Sequence, residues 1–446
     1  MMINSKLKTR PNYLKKLIGF KDTEPVKVIT GIRRCGKSSL LKLMIEHLKQ
    51  NGVLPSQILY VNFESFEYVE FNSTKLYNYV KERIVANKRM YLFFDEVQRV
   101  KNWENAINAF RVDFNCDIYI SGSNAYLLSS EYATYLSGRC VEIKMLPLSF
   151  VEFIDFNDLS LKTEVGALGD KRTYAEDSSG SKYSLKEVFN SYLKFGGMPG
   201  ITELGLDQEK SLMLLDSVFS TIIVRDILDL ANLREKGPIN DSVLLKKIVM
   251  FLSDNIGNNV SLSSIGNTLS NEGLLEDVKT KGKVSVHKLQ YYVNSLLESF
   301  FFYEIKRFDI KGKEYLKTLG KYYIVDLGFR NLLLGYRNRD TGHVLENIVY
   351  LELLRRGYDV AIGKIDNLEI DFIAQKADEK LYIQVTDDMS ISSVTQRELA
   401  PLKKVKDNYP KIVLALNLGL ETNYDGIKIL NVIDWLVASK DSSVSN

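Results

Sequence analysis

Val26-Lys-Val-Ile-Thr-Gly31-Ile-Arg-Arg-Cys-Gly36-Lys37-Ser38-Ser39-Leu40-Leu41 is the stretch that decides the fold. Its first five residues are mostly β-branched, as a buried parallel strand requires. Gly31 to Ser38 then fit G-x-x-x-x-G-K-[ST], the spacing of a phosphate-binding loop. Leu40, Leu41 and Met44 recur at helical spacing, so the glycines stand between a strand and a helix. Gly31 and Gly36 let the backbone turn successive N–H groups toward an anion, and Arg34, Cys35 and Ser39 belong to the same cradle. The start of the helix adds free N–H groups and the positive end of its dipole. Lys37 is the residue that reaches the outer phosphates, and the Ser38 hydroxyl is the one that ligates magnesium.

Downstream, Met90-Tyr-Leu-Phe-Phe-Asp95-Glu96 is an apolar strand that ends in two carboxylates. In open α/β folds ligands sit at the carboxyl ends of strands. Asp95 is therefore the expected magnesium residue, and Glu96 the one that orients or activates the attacking water. Taken alone, an apolar run ending in two acids is a weak pattern; behind a phosphate loop it becomes a strong one. A further buried strand, Asp117 to Asn124, ends in Ser121, Ser123 and Asn124, which read either as contacts to the last phosphate or its water, or as a helix-capping turn. Arg139, before the strand Val141 to Met145, is a candidate charge-neutralising finger, in cis or toward a neighbouring subunit; pairing with a surface carboxylate is the alternative.

The 446 residues allow about three domains. A hydrophobic content of 45% with 26% charged residues is that of a soluble globular chain. The formal net charge of +3 carries no claim of polyanion binding, although residues 1–50 hold 12 Lys/Arg against 3 Asp/Glu. That excess, Arg10 included, reads as a solvated face or a nucleic-acid contact. Cys35, Cys116 and Cys140 lack metal-binding spacing, which points to reduced thiols in a cytoplasmic protein without structural zinc. No apolar run reaches the ~18 residues needed to cross a bilayer, so no membrane partner is expected.

The fold class expected is α/β. Residues 1–155 form a P-loop ATP-binding domain with a parallel sheet, and 157–184 are rich in Gly, Ser, Asp and Lys, a flexible loop or linker. Residues 185–235 form a helical lid, in which Arg225 is a candidate nucleotide sensor. Residues 241–335 read as three helices followed by a hairpin, the order of a winged-helix module, with Lys283, His287, Lys288 and Gln290 on its third helix. Residues 340–438 have the layout of a metal-dependent nuclease core, with Glu346, Glu369 and Asp371 as its acids. Where Glu-x-Lys is expected the chain reads Gln384-Val385-Thr386, so one carboxylate and the lysine are missing and cleavage is not expected.

The segments VITGIRRCGKSSLL, LFFDEVQRVKNWE, YISGSNAYLL, LSGRCVEIKMLPLSFVEF and LEIDF…YIQV together resemble one prokaryotic family. Its members are AAA-superfamily ATPases in which the ATP-binding domain precedes a domain of unknown function (DUF4143), similar to restriction-endonuclease-like folds. The resemblance implies ATP and Mg²⁺ as cofactors, with Gly36, Lys37 and Ser38 at the phosphates, Asp95 and Glu96 at metal and water, and Ser123 or Asn124 as sensor. It supplies no substrate. The function expected is an ATPase that couples hydrolysis to conformational change, on DNA or RNA. A nucleotide-gated switch acting on a protein partner or a second copy of the chain, and an ATP-regulated nuclease, are the alternatives.

Overall fold

The computed structural model describes residues 7–125, 138–166, 171–229, 242–271, 286–337 and 340–438. The chain divides into two compact units: residues 1–147 with 298–300, and 148–297 with 301–446.

The first unit is built on a five-stranded, wholly parallel sheet in the order β2-β3-β4-β1-β5. Its strands are β1 (Val26–Thr30), β2 (Ile58–Asn62), β3 (Met90–Asp95), β4 (Cys116–Gly122) and β5 (Cys140–Lys144). Between them run α2 (Lys37–Gln50), α3 (Ser73–Lys81) and α4 (Trp103–Asp113), while α1 (Pro11–Gly19) precedes β1. Both faces of β1 and β3 are buried, which is why these strands read as continuous apolar runs. Val61, Leu76, Leu92, Phe94, Ile107 and Phe110 form the core on one side. Lys27 breaks the apolar run of β1. It is fully buried, and its ammonium lies 2.5 Å from the Asp117 carboxylate at the start of β4. An unpaired charge at that depth would be prohibitive, so the neighbouring strand supplies the counter-ion.

In the second unit, α5 (Phe150–Phe156) leads into a three-stranded antiparallel sheet: β6 (Ser160–Val165), β7 (Lys171–Glu176) and β8 (Lys182–Ser184). The expectation of a flexible loop over 157–184 is corrected by these strands. β6 and β8 are exposed except for half-buried Leu161, and β7 buries only Ala175, so no apolar alternation marked them. The Asp177 carboxylate accepts from Ser179 N (2.9 Å) and Ser181 N (3.0 Å), and Gly180 supplies a φ of 88°, which together close the β7–β8 turn.

Helices α6 (Leu185–Phe195), α7 (Pro199–Thr202) and α8 (Gln208–Thr221) follow, the last running into a π-helical stretch, Ile222–Asp229. Next come α9 (Ser242–Asp254), β9 (Asn259–Val260), α10 (Leu262–Asn271) and α11 (Val286–Glu298), and then the hairpin β10 (Phe302–Asp309) and β11 (Glu314–Ile324). The expected order of three helices and a hairpin is there, but the hairpin does not end as a free wing. After α12 (Leu327–Leu334) and α13 (Thr341–Arg355), strand β12 (Asp359–Ile365) pairs in parallel with β10. That pairing joins β9–β11 to β13 (Leu368–Lys376), β14 (Glu379–Asp388), β15 (Lys411–Asn417), β16 (Asn423–Tyr424) and β17 (Ile427–Asn431) in one nine-stranded sheet. Helix α14 (Ser392–Lys404) covers its core of Ile370, Tyr382, Leu402 and Val413, and α15 (Val432–Val437) ends the described chain. Among the described residues no helix is long and apolar enough to cross a membrane.

Candidate functional site

The phosphate loop lies where the sequence puts it, between β1 and α2. Gly31 has φ 147°, and a Cβ there would stand 2.1 Å from the Met145 carbonyl oxygen, so only glycine lets the loop pass that strand end. Gly36, at φ 106°, takes the N-cap position of α2 and leaves the first N–H groups of the helix without helical partners. Cys35 is buried beneath the loop, and burial pushes its thiol pKa up. Ser38 is half-buried, while Arg34 and Ser39 are exposed.

Lys37 is buried, and its ammonium donates to the carbonyls of Gly31 (2.9 Å) and Ile32 (3.1 Å). It lies 3.9 Å from Glu96 Oε1. Strand β4, between β1 and β3, carries Ser121 to the Asp95 carboxylate. The Ser121 hydroxyl donates to Asp95 Oδ1 and accepts from Glu96 N (3.1 Å). Tyr60 of β2 donates to Asp95 Oδ2 at 2.9 Å. Both oxygens of this fully buried carboxylate are thereby fixed in direction. Glu96 sits in a left-handed turn, φ 55°, just past β3. Its carboxylate accepts from Gln98 Nε2 (2.5 Å) and Ser123 Oγ (3.3 Å). Burial alone raises its pKa, but the Lys37 charge, the Gln98 amide, Arg33 and Arg99 outweigh burial and hold it below the ordinary carboxylate range. Glu96 is thus an anion at neutral pH. Asn124 is buried past the end of β4. Arg139 is exposed, its carbonyl accepting from Val26 N (2.9 Å).

Sequence reasoning missed two supports of this site. Tyr60 carries no motif and is found only through the β2–β3 register. Arg10, read as part of a basic surface, is buried. Its guanidinium donates to the carbonyls of Cys35 (3.0 Å), Leu146 (2.9 Å) and Pro147 (3.2 Å), tying the loop to the chain after β5.

The second unit holds another cluster of charge. The Lys321 ammonium, buried on β11, lies 2.9 Å from Glu369 Oε1, 3.2 Å from Glu346 Oε2 and 3.9 Å from Asp371 Oδ1. Lys321 belongs to a strand 63 positions earlier in the chain than Gln384, and Glu369 also lies 4.0 Å from Arg307 and Glu346 3.2 Å from His343. Glu346 also accepts from the Tyr323 hydroxyl (2.8 Å), and Asp371 from Val385 N (2.8 Å). Burial, together with the Glu346 charge, pushes the Asp371 pKa well up. His287, Lys288 and Gln290 are exposed at the start of α11; Lys283 lies outside the described residues, as does the Arg225 side chain.

Comparison with known proteins supports an AAA domain in the first unit. Residues 23–154 match the model of an AAA domain, and residues 186–340 match a domain of unknown function, DUF8612. The second match does not confirm DUF4143 as the family of the carboxyl-terminal part, and it does not reach residues 341–438, where a nuclease-like core is expected. An uncharacterized protein of Haemophilus influenzae is 40% identical over 431 residues, 96% of this chain and 98% of that protein. An uncharacterized protein of Methanocaldococcus jannaschii is 29% identical over 387 residues, 86% of this chain and 79% of that one. Among solved structures, the Walker-type ATPase of Pyrococcus abyssi gives a TM-score of 0.47 at 15% identity, covering 73% of this chain and 95% of that one.

Proposed function

From its membership of one family with the Haemophilus influenzae protein, and from the AAA domain at residues 23–154, we propose that this chain is a magnesium-dependent ATPase that converts hydrolysis into conformational change. One observation carries the reading: the ammonium of Lys37, the oriented carboxylate of Asp95 and the anionic carboxylate of Glu96 converge beside the free N–H groups at the start of α2.

Those residues divide the work. The loop N–H groups and the helix start bind the phosphate oxygens. Lys37 exchanges two backbone carbonyls for the outer phosphates, adding its charge where negative charge gathers during transfer. The donor set fits magnesium, because the Ser38 hydroxyl and the Asp95 carboxylate are hard oxygen ligands. Bound there, the ion supplies charge neutralisation at the phosphates. Tyr60 and Ser121 keep the Asp95 carboxylate facing the loop. Glu96 receives a hydrogen bond from the attacking water and, held as an anion by Lys37, takes up its proton. Asn124 and Ser123 are assigned to sensing the last phosphate, and the exposed Arg139 to completing the site of a second copy of the chain.

The work done with this energy is assigned to DNA or RNA, on the ground of the basic amino-terminal segment and the helix α11. ATP turnover by wild type and Glu96→Gln, with and without DNA or RNA and across protein concentration, tests the assignment. Turnover that the substitution abolishes and nucleic acid stimulates is the expected result. Turnover that is slow and indifferent to nucleic acid would instead make the site a nucleotide-gated switch for a protein partner. A rate per chain that rises with concentration supports Arg139 acting in trans.

A further inference from the structure

Glu96 is followed by a single tight turn, Val97–Arg99, in which Arg99 N donates to the Glu96 carbonyl at 3.2 Å. Val97 is buried in the core, and the turn brings the half-buried Gln98 side chain back to the Glu96 carboxylate. An anionic carboxylate accepts and cannot donate, so it takes the nitrogen end of the amide: Gln98 Nε2 donates to Glu96 Oε2 at 2.5 Å. The same Glu96 oxygen accepts from Ser123 Oγ at 3.3 Å, while Glu96 Oε1 lies 3.9 Å from the Lys37 ammonium. The other end of the Gln98 amide is left over. Its Oε1 is buried, and among the described residues it has no hydrogen-bond partner. A buried acceptor left unmade costs stability, and native folds keep few of them.

We propose that Gln98 holds the attacking water jointly with Glu96: the amide Oε1 accepts one proton of the water while the carboxylate accepts the other. This role rests on the ATPase reading of the site and adds a second acceptor to it. A water held by one acceptor still turns about that hydrogen bond; a second acceptor fixes the direction of its lone pair toward phosphorus. As the water oxygen bonds to the γ-phosphorus, the bond to the β–γ bridging oxygen breaks and ADP leaves with its electron pair. The proton on the Glu96 side passes to the carboxylate. The other stays on the oxygen, now part of inorganic phosphate, and still donates to Gln98. An amide takes up no proton at neutral pH, so Gln98 directs the water and is not a base. Because Oε1 is buried, it meets this water only when the phosphates are in place and Lys37 has turned from its loop carbonyls toward them.

The test compares two complexes of the full chain by calorimetry in Mg²⁺. ADP with aluminium fluoride mimics the phosphoryl group in transfer together with its attacking water; ADP with beryllium fluoride mimics the γ-phosphate before attack. Gln98→Met is expected to weaken the aluminium fluoride complex about ten-fold, to leave the beryllium fluoride complex unchanged, and to lower kcat with KM unaltered. A residue that only braces Glu96 has nothing to brace once the base is gone. The loss caused by Gln98→Met is therefore expected to persist in a Glu96→Gln background. Equal weakening of both complexes, or a loss that vanishes in that background, overturns the proposal and leaves Gln98 a brace. If wild type binds neither fluoride complex more tightly than ADP alone, the ATPase reading itself falls, and the role of Gln98 with it. Should circular dichroism show that Gln98→Met does not fold, Gln98→Lys decides, since it keeps a donor to Glu96 and removes the acceptor. A lost preference for aluminium fluoride in that variant upholds the role; a wild-type preference overturns it.

Discussion

Two lysines stand among carboxylates in this protein, and their surroundings differ in one decisive respect. Lys37 spends its hydrogen bonds on two backbone carbonyls of its own loop, and Glu96 lies 3.9 Å away. Lys321 is in direct contact with carboxylates, 2.9 Å from Glu369 and 3.2 Å from Glu346. A buried ammonium exchanges neutral carbonyls for phosphate oxygens at little electrostatic cost. It leaves a pair of buried carboxylates only if another cation replaces it. The first arrangement is open to an anionic ligand; the second is closed to everything but a stronger cation.

The largest effect expected lies at the first site. Glu96→Gln should lower ATP turnover on the order of 10²–10⁴-fold, the usual contribution of a general base, with nucleotide affinity little changed. A loss of binding in step with turnover would instead make Glu96 a structural anion, like the acids around Lys321. Lys321→Met should then cost about 3–5 kcal/mol in urea unfolding, because it strands buried carboxylates. Lys37→Met should cost less, about 2 kcal/mol, since two carbonyls lose their donor and Glu96 loses a charge that is 3.9 Å away and not in direct contact. Equal losses at the two positions would break the contrast.

Asp326 sharpens it further, being a buried carboxylate that accepts backbone N–H groups of Gly197 (2.6 Å) and Gly328 (2.8 Å). Burial raises its pKa from 3.8 to about 6 against those bonds. The folded chain therefore keeps a proton that the unfolded chain releases near pH 3.8. The stability so gained is full below that pH and is lost as pH rises toward 6, by about 3 kcal/mol at most. Unfolding free energies of wild type minus Asp326→Asn, measured from pH 4 to 7, should show that slope; a flat difference would show that the N–H groups suffice to keep the carboxylate ionised. The smallest effect expected is that of Tyr60→Phe, about 1 kcal/mol of stability for one hydrogen bond to Asp95. A loss of turnover beyond ten-fold in that variant would make the orientation of Asp95, and not its charge alone, limiting.

The first site was legible because its parts are local. A strand, a glycine loop and a helix start adjoin one another in sequence, and Asp95-Glu96 ends an apolar run whose burial on both faces fixes it as a central strand. Side chains that reach the site from elsewhere were not legible. Tyr60 depends on the β2–β3 register, and Arg10 on a fold that carries the amino-terminal segment beneath the loop. The strands of 160–184 were not legible for the opposite reason: they bury little beyond Ala175, so nothing in their polarity alternates.

The sequence by itself determined the glycine loop, the parallel strands around it and the two carboxylates at the end of β3, because backbone geometry and burial impose those residue types at short range. Only the tertiary structure decided the fate of the second cluster. The parallel pairing of β10 with β12 joins two stretches of chain into one sheet and sets Lys321 against Glu346, Glu369 and Asp371. Charge acts through space, and no spacing along the chain records which lysine a distant strand will bring to a carboxylate.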